Sequence, residues 1–245
     1  MSIPTMFPLA SEFHYNTATG RVNLNIDTNI QFKMYPNSKA IPLDMSWEGL
    51  KKQNNKDYED VLMARVSTRA FLDEAIEFET LSKLLSISCG VRSNCQEYQF
   101  RTYASAGGRF PIEVYLVMQK SDELELGVYH YNVYNNTLEL VKKGNYSSQL
   151  KKFYSNQPFD LSVPCIILLS SLFHRTMMKY GERGYRYTLI DAGHIGQNLY
   201  LTASYLNLGI VGLGGGAEDD MVLDELLGLY SKDESIIYGF ALGHK

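Results

Sequence analysis

The sequence predicts an α+β fold, one sheet flanked by helices around a long central helix, and three observations carry that prediction. Segments with helical and with strand periodicity alternate from Tyr58 to the C-terminus. A run at 186–209, RYTLIDAGHIGQNLYLTASYLNLG, is long, mostly apolar and not cleanly one-sided, which suits a helix buried on several faces. With 45% apolar residues in 245, the chain can enclose a sizeable core in one domain with embellishments.

Residues 1–45 read differently from the rest. Pro4, Pro8, Pro36 and Pro42 interrupt short alternating pieces such as RVNLNID (21–27), so this segment is expected to be an arm lying on the body or on a partner subunit. The 18 tyrosines against 11 phenylalanines suit large half-polar contacts. The body, 46–245, begins with DYEDVLMARVSTRAF (57–71), an acidic-capped helix ending in a turn rich in Ser and Arg. EFETLSKLLSISCGV (77–91) puts Phe78, Leu81, Leu84 and Leu85 on one helical face and ends at Gly90. PIEVYLVMQ (111–119) reads as a strand, and GVYHYNVYNNTLELV (127–141) as a hairpin whose Asn135-Asn136 can take positive φ. A short helix around 147–155 and a buried strand PCIILLSS (164–171) follow. Next comes the helix bearing Lys179 and Tyr180, broken by Gly181 and Gly184. After the central helix, IVGLGGG (210–216) is a strand ending in glycines, DDMVLDELLGL (219–229) a helix opened by acids that suit its dipole, and SIIYGFALGHK (235–245) a final strand.

Composition excludes several classes of function. A net charge of −4, with no run of Lys or Arg longer than two, leaves no basic face for nucleic acid or an anionic membrane. The N-terminus lacks a signal-peptide pattern and no window approaches the roughly 18 apolar residues of a membrane span, so a cytoplasmic protein is expected. Cys89, Cys95 and Cys165 form no CxxC pair and have no His at ligand spacing, which argues for free thiols and against a metal site.

Four stretches could carry chemistry. In ARVSTRAF, Arg65, Ser67 and Arg69 offer two guanidinium forks and a hydroxyl, a set that holds phosphate and electron-rich heterocycles, although arginines near a helix end are also common on surfaces. In YASAGGRFP (103–111), the small residues Ala104, Ser105, Ala106, Gly107 and Gly108 let backbone approach a flat ligand, or simply make a tight turn. In GLGGGAEDD (212–220), three consecutive glycines precede Glu218, Asp219 and Asp220, whose charge favours a neutral ring over a phosphate as guest. In MMKYGERGYRY (177–187), Lys179 and Tyr180 are adjacent at a helix end. A partly desolvated amine can act as a base and a neighbouring phenol can relay a proton. Neighbours on a helix diverge by about 100°, so the pair reaches one ligand only from a helix end. His194 is a further candidate acid or base, or a core histidine satisfied by backbone.

Taken in order, these segments resemble the nitroreductase-like flavoproteins, and more narrowly their SagB-type dehydrogenases, the azoline oxidases of thiazole/oxazole-modified peptide pathways. RVSTRAF (65–71) is similar to the family's RRSxRxF, YASAGGRFPIEVYLV (103–117) to PSAGxRYPLEVYVV, and GVYHY (127–131) to GLYHY. The likeness continues through KYGERGYRY (179–187), the most specific block because ordinary nitroreductases lack it, through GLGGGAEDD, and to ALG at 241–243. FHYNT (13–17), PNSKAIPL (36–43) and the lysine-tyrosine step at 33–35 resemble the segment that precedes the flavin domain in this group. Ala104 departs from the pattern, standing where the family has proline.

The resemblance implies a mostly antiparallel sheet and a domain-swapped homodimer with FMN in two interface sites. Arg65, Ser67 and Arg69 would hold phosphate and pyrimidine edge. Ala104 would belong to the cofactor site, Ser105, Ala106 and Gly107 would approach the flavin N5 side, Gly214 and Gly215 would lie against the ring from the other side, and Lys245 or His244 would fill the late basic phosphate position. Lys179 and Tyr180 match the catalytic pair. The implied reaction is two-electron oxidation of a thiazoline or oxazoline in a peptide, with oxygen as the final acceptor. The alternatives are an NAD(P)H-dependent reductase of nitroaromatics, quinones or flavins, and a flavin-binding scaffold for a cyclodehydratase complex.

Overall fold

The computed structural model describes residues 12, 13, 17, 32–43, 56–95, 98–217, 220–230 and 232–245, with the backbone alone at 93–95, 98 and 99. The RVNLNID segment and Glu218 and Asp219 lie outside the described residues. The strands are β1 (Ala40–Pro42), β2 (Val91–Cys95), β3 (Tyr98–Arg101), β4 (Ile112–Met118), β5 (Gly127–Asn132), β6 (Thr137–Lys143), β7 (Cys165–Leu172), β8 (Leu208–Leu213) and β9 (Glu234–His244). The helices are α1 (Tyr58–Ala64), α2 (Phe78–Cys89), α3 (Ser147–Phe153), α4 (Phe173–Tyr180), α5 (Arg183–Tyr205) and α6 (Met221–Leu227).

Seven strands form one sheet in the order β1-β6-β5-β4-β7-β9-β8, every neighbouring pair antiparallel. β2 and β3 make a separate hairpin. In β4, IEVYLVM, all seven residues are buried because both faces of the sheet are covered. Ile112, Val114, Leu116 and Met118 pack with Leu81, Leu84 and Leu85 of α2 and with Ile195 and Leu199 of α5. Tyr115 and Val117 face the other way, toward Leu150 and Phe153 of α3 and Leu223 and Leu227 of α6. The alternation of a strand thus feeds two cores, and each fully buried Leu or Phe contributes roughly 1.5–3 kcal/mol.

The hairpin between β5 and β6 turns through Asn136 at φ 52°, and residues 40–42 extend the sheet by pairing with the β6 edge. Cys89 and Cys165 are buried free thiols, and burial pushes the Cys89 thiol up to about 12. The side chain of Cys95 lies outside the described residues. No helix among the described residues is long and apolar enough to cross a membrane, and no group of His, Cys, Asp and Glu among them could hold a metal ion.

Two expectations need correction. Gly184 does not break a helix: it lies in the first turn of α5, where its missing Cβ would stand 2.8 Å from Met177 Cα, so glycine there lets α4 and α5 touch. Gly181 alone ends α4, at φ 58°. The central helix α5 is also not buried on several faces. Its buried residues, Thr188, Asp191, Ala192, Ile195, Leu199 and Ala203 among them, recur at helical spacing as one stripe against the sheet. Leu189 and Ile190 point outward, 42% and 52% exposed, because no element among the described residues packs over that face.

Candidate functional site

Lys179 and Tyr180 are the last two residues of α4, and the C-cap Gly181 donates its N–H to the Met177 carbonyl at 2.7 Å. Side chains that diverge along a helix converge here on one point, Gly107. A methyl group built on Gly107 would fall inside contact distance of Tyr180 Oη and 2.8 Å from Lys179 Nζ. The Lys179 amine stands 5.4 Å from the centroid of the Tyr180 ring, which meets Tyr187 edge-on at 4.9 Å. An amine, a phenol and an exposed left-handed glycine at φ 62° therefore share one spot.

The turn that presents Gly107 is held by Asp191 on the buried stripe of α5. Ser105 Oγ donates to Asp191 Oδ2 at 2.5 Å, the Ala106 N–H donates to Asp191 Oδ1 at 3.2 Å, and the Phe110 N–H donates to Ser105 Oγ at 2.8 Å. Burial raises the Asp191 carboxyl above its ordinary 3.8, against the lowering effect of the Ser105 and Ala106 bonds. The Ser105 hydroxyl and Ala106 N–H are thus engaged within the chain. His194, one turn beyond Asp191, is exposed, and its Nδ1 lies 2.9 Å from the carbonyl of exposed Ala104. Backbone satisfies it, as the sequence allowed, but at the surface rather than in the core. A donating Nδ1–H leaves Nε2 as the basic nitrogen.

Arg65, Ser67 and Arg69 lie on the strap that follows α1, and the first two meet α5 at Tyr200. The Arg65 guanidinium sits 5.5 Å from the Tyr200 ring centroid, and Ser67 Oγ lies 3.3 Å from Tyr200 Oη, which also accepts the Gly212 N–H at 2.7 Å. The Thr68 N–H donates to the Ile210 carbonyl at 2.9 Å, docking this strap on β8, while Arg69 is exposed. Tyr200 and Asp191 are nine residues apart on α5, about 13 Å at a rise of 1.5 Å per residue. Within one chain the two groups therefore do not meet.

Gly214 and Gly215 follow β8, and a Cβ on either would meet nothing within 4 Å, whereas one on Gly216 would strike the Phe153 ring. The first two glycines thus leave open space and the third packs. They border a cavity of about 220 Å³ shared with Tyr154 and Tyr238. Lys245 is exposed at the far end of β9, beside the start of β8, where the Leu72 N–H donates to the His244 carbonyl at 3.0 Å.

Behind the Lys179 helix a charged network crosses the sheet. His130 Nε2 lies 2.8 Å from Glu113 and its Nδ1 3.0 Å from Glu139. Arg175 Nη1 donates to Glu113 at 2.6 Å, and Glu139 accepts from Asn132 and from the Tyr35 N–H. Burial works against charge at both His130 and Glu113. The bonds to the two carboxylates outweigh it and hold His130 above its ordinary 6.5, and the His130 bond and Arg175 charge bring Glu113 down to about 2. The signs are opposite: Glu113 contributes stability that is full above about 4.5 and lost as pH falls toward 2, and His130 contributes stability that is full below 6.5 and lost above its raised value. Thermal melting is expected to be highest between those limits and to fall on both sides. His130→Gln should remove the alkaline fall; an unchanged alkaline limb in that variant would show that the network carries no titrating charge.

Asp191, Tyr200, Arg109 and Arg175 escaped the sequence reading. Asp191 and Glu113 carried a usable signal, since an acid inside an apolar run must find buried partners.

A seven-stranded antiparallel sheet with a central helix bracing two glycine-bearing clusters defines an α+β scaffold. The chain belongs to the Nitroreductase family, whose model matches residues 62–244. It is 31% identical over 163 residues to MJ1384 of Methanocaldococcus jannaschii, named as a nitroreductase, across 66% of this chain and 81% of that protein. It is 32% identical over 113 residues to the microcin B17-processing protein McbC of Escherichia coli, and 36% identical over 119 to the trifolitoxin-processing protein TfxB of Rhizobium leguminosarum bv. trifolii. Those alignments cover 44% and 46% of this chain but 42% of McbC and 31% of TfxB. Among solved structures, a protein of Anabaena variabilis named as a nitroreductase superposes with a TM-score of 0.73 at 28% identity, over 95% of this chain and 46% of that one. A chain of the E. coli McbBCD complex with truncated pro-MccB17 superposes at 0.65 and 20% identity, over 100% and 94%, a likeness of fold.

Proposed function

We propose that the protein is an FMN-dependent dehydrogenase that oxidises thiazoline or oxazoline rings to thiazoles or oxazoles in a peptide. The observation that carries this reading is the convergence of Lys179 Nζ and Tyr180 Oη on Gly107. Partial likeness to two peptide-processing proteins, McbC and TfxB, supports it.

The residues present fit a flavin: Gly214 and Gly215 leave space for a flat ring, and Arg65 and Ser67 offer a guanidinium and a hydroxyl within one strap. In this reading Arg65, Ser67 and Arg69 hold phosphate and pyrimidine edge, with Lys245 as a later phosphate ligand, and the backbone of residues 104–107 borders the ring. Bound FMN would supply the two-electron acceptor. The chain's own part is to orient the azoline over Gly107 and to take one ring proton on Lys179 or Tyr180. Because the strap and the Gly107 turn stand apart along α5, we assign the complete site to a homodimer, with 1–45 as an arm on the 46–245 flavin domain. The exposed Leu189, Ile190 and Met63 are candidates for the covered face. Assembly with a cyclodehydratase belongs to the same reading.

A nicotinamide-fed reductase of nitroaromatics, quinones or flavins is the second reading, favoured by the likeness to MJ1384. An anaerobic titration separates the two. Flavin absorbance is expected to bleach with a thiazoline-bearing peptide and to stay unchanged with NADPH; the reverse result would replace the first reading by the second.

A further inference from the structure

We propose that Arg109 and Arg175 form a two-way clasp between the Gly107 turn and helix α4, and that both are positioning residues for Lys179 and Tyr180. The inference rests on the reading of that pair as the proton-transfer groups. The two segments are bonded in both directions. Arg109 Nε donates to the carbonyl of Arg175 at 2.7 Å, and Arg175 Nη1 donates back to the carbonyl of Phe110 at 3.0 Å. The same Arg175 nitrogen reaches the Glu113 carboxylate at 2.6 Å. Both arginines are buried.

Sequence spacing makes this geometry consequential. Arg109 stands two residues after Gly107, and Arg175 stands four residues before Lys179, one helical turn. The clasp therefore joins the two segments whose separation sets the approach of amine and phenol to Gly107. No side chain caps the start of α4 at Leu172, so backbone and clasp hold that end. A guanidinium suits the task because one of its nitrogens carries two N–H groups, which serve the Phe110 carbonyl and the Glu113 carboxylate together from a fixed plane, whereas an ammonium sets no such plane. A buried guanidinium needs a counter-charge, and Glu113 of the central strand β4 supplies it while bonded to His130, which ties the clasp to the neighbouring β5.

The test uses the full chain with FMN bound and two variants, Arg175→Lys and Arg109→Met; the second leaves the Arg175–Glu113 pair intact and carries the test if the first does not fold. Azoline turnover is expected to fall about tenfold or more in kcat, with KM and flavin content within about twofold of the parent. In the flavin-free protein, amide hydrogens of 173–181 should exchange about tenfold faster while those of 165–171 keep their protection. Combined with Lys179→Ala and Tyr180→Phe, either variant should add no further loss, since a residue acting through the pair then has nothing to act upon. A multiplied loss in the combined protein, or unchanged exchange in 173–181, would overturn the clasp. Parental activity in the Lys179→Ala, Tyr180→Phe protein alone would instead remove the reading beneath it, and the exchange experiment would still decide whether the clasp orders α4.

Discussion

Lys179→Ala is expected to lower azoline oxidation by roughly 10²–10⁴-fold, the range that a positioned acid or base supplies, while the protein stays yellow. The amine lies within 2.8 Å of where a Gly107 side chain would begin, on the rim of exposed backbone, so its removal deletes a functional group without opening a cavity in the core. The strap carrying Arg65 and Ser67 rests on Tyr200 and β8, nine helical residues from Asp191, so flavin content should be unaffected. Stopped-flow reduction by a thiazoline peptide checks both halves at once: the flavin spectrum reports occupancy and the bleaching rate reports proton transfer. Tyr180→Phe separates the partners, because it keeps the ring against Tyr187 and removes only the hydroxyl. A Lys179→Ala protein that turns over normally would leave the amine as a surface charge and favour the nicotinamide-fed reading.

The parts of this molecule that local chemistry determines were legible in the sequence. The run at 112–118, apolar except for Glu113, reads as a strand and is one, and Asn136 takes the positive φ that a tight hairpin needs. Lys179 and Tyr180 were expected to share a target only from a helix end, and they occupy the end of α4. What escaped depends on partners distant along the chain. Ser105 meets Asp191 across 86 residues, and Arg109 meets Arg175 across 66, pairings that no periodicity encodes. Gly184 was misread for a related reason: as a poor helix former it suggests a break, but close packing on Met177 decides its place inside α5. Leu189 and Ile190 misled in the opposite sense, since apolar character predicts burial without saying whether the same chain provides the cover. The glycine cluster at 214–216 could not be divided by sequence either; only the position of the Phe153 ring separates Gly216 from its two open neighbours.

Gly107→Ala should lower activity about a hundredfold, the lower end of the loss expected for Lys179→Ala, and Gly108→Ala provides its control. Both glycines adopt left-handed backbone, at φ 62° and 64°, so an added Cβ costs each about 1–2 kcal/mol and should lower Tm by a few degrees. Space distinguishes them. The new methyl at 107 meets Tyr180 Oη and Lys179 Nζ, whereas at 108 it meets nothing within 4 Å. Lysine is flexible and can swing aside, but the Tyr180 ring is held by Tyr187, so the phenol is displaced and the pair no longer shares one point. A misplacement of about 1 Å at a reacting group costs on the order of a hundredfold, which sets the expected loss for Gly107→Ala. Equal melting temperatures with unequal rates would assign the effect to the site rather than to the fold. Equal rates in the two variants would mean that the convergence on Gly107 has no part in turnover, and the case for proton transfer at that spot would fall with it.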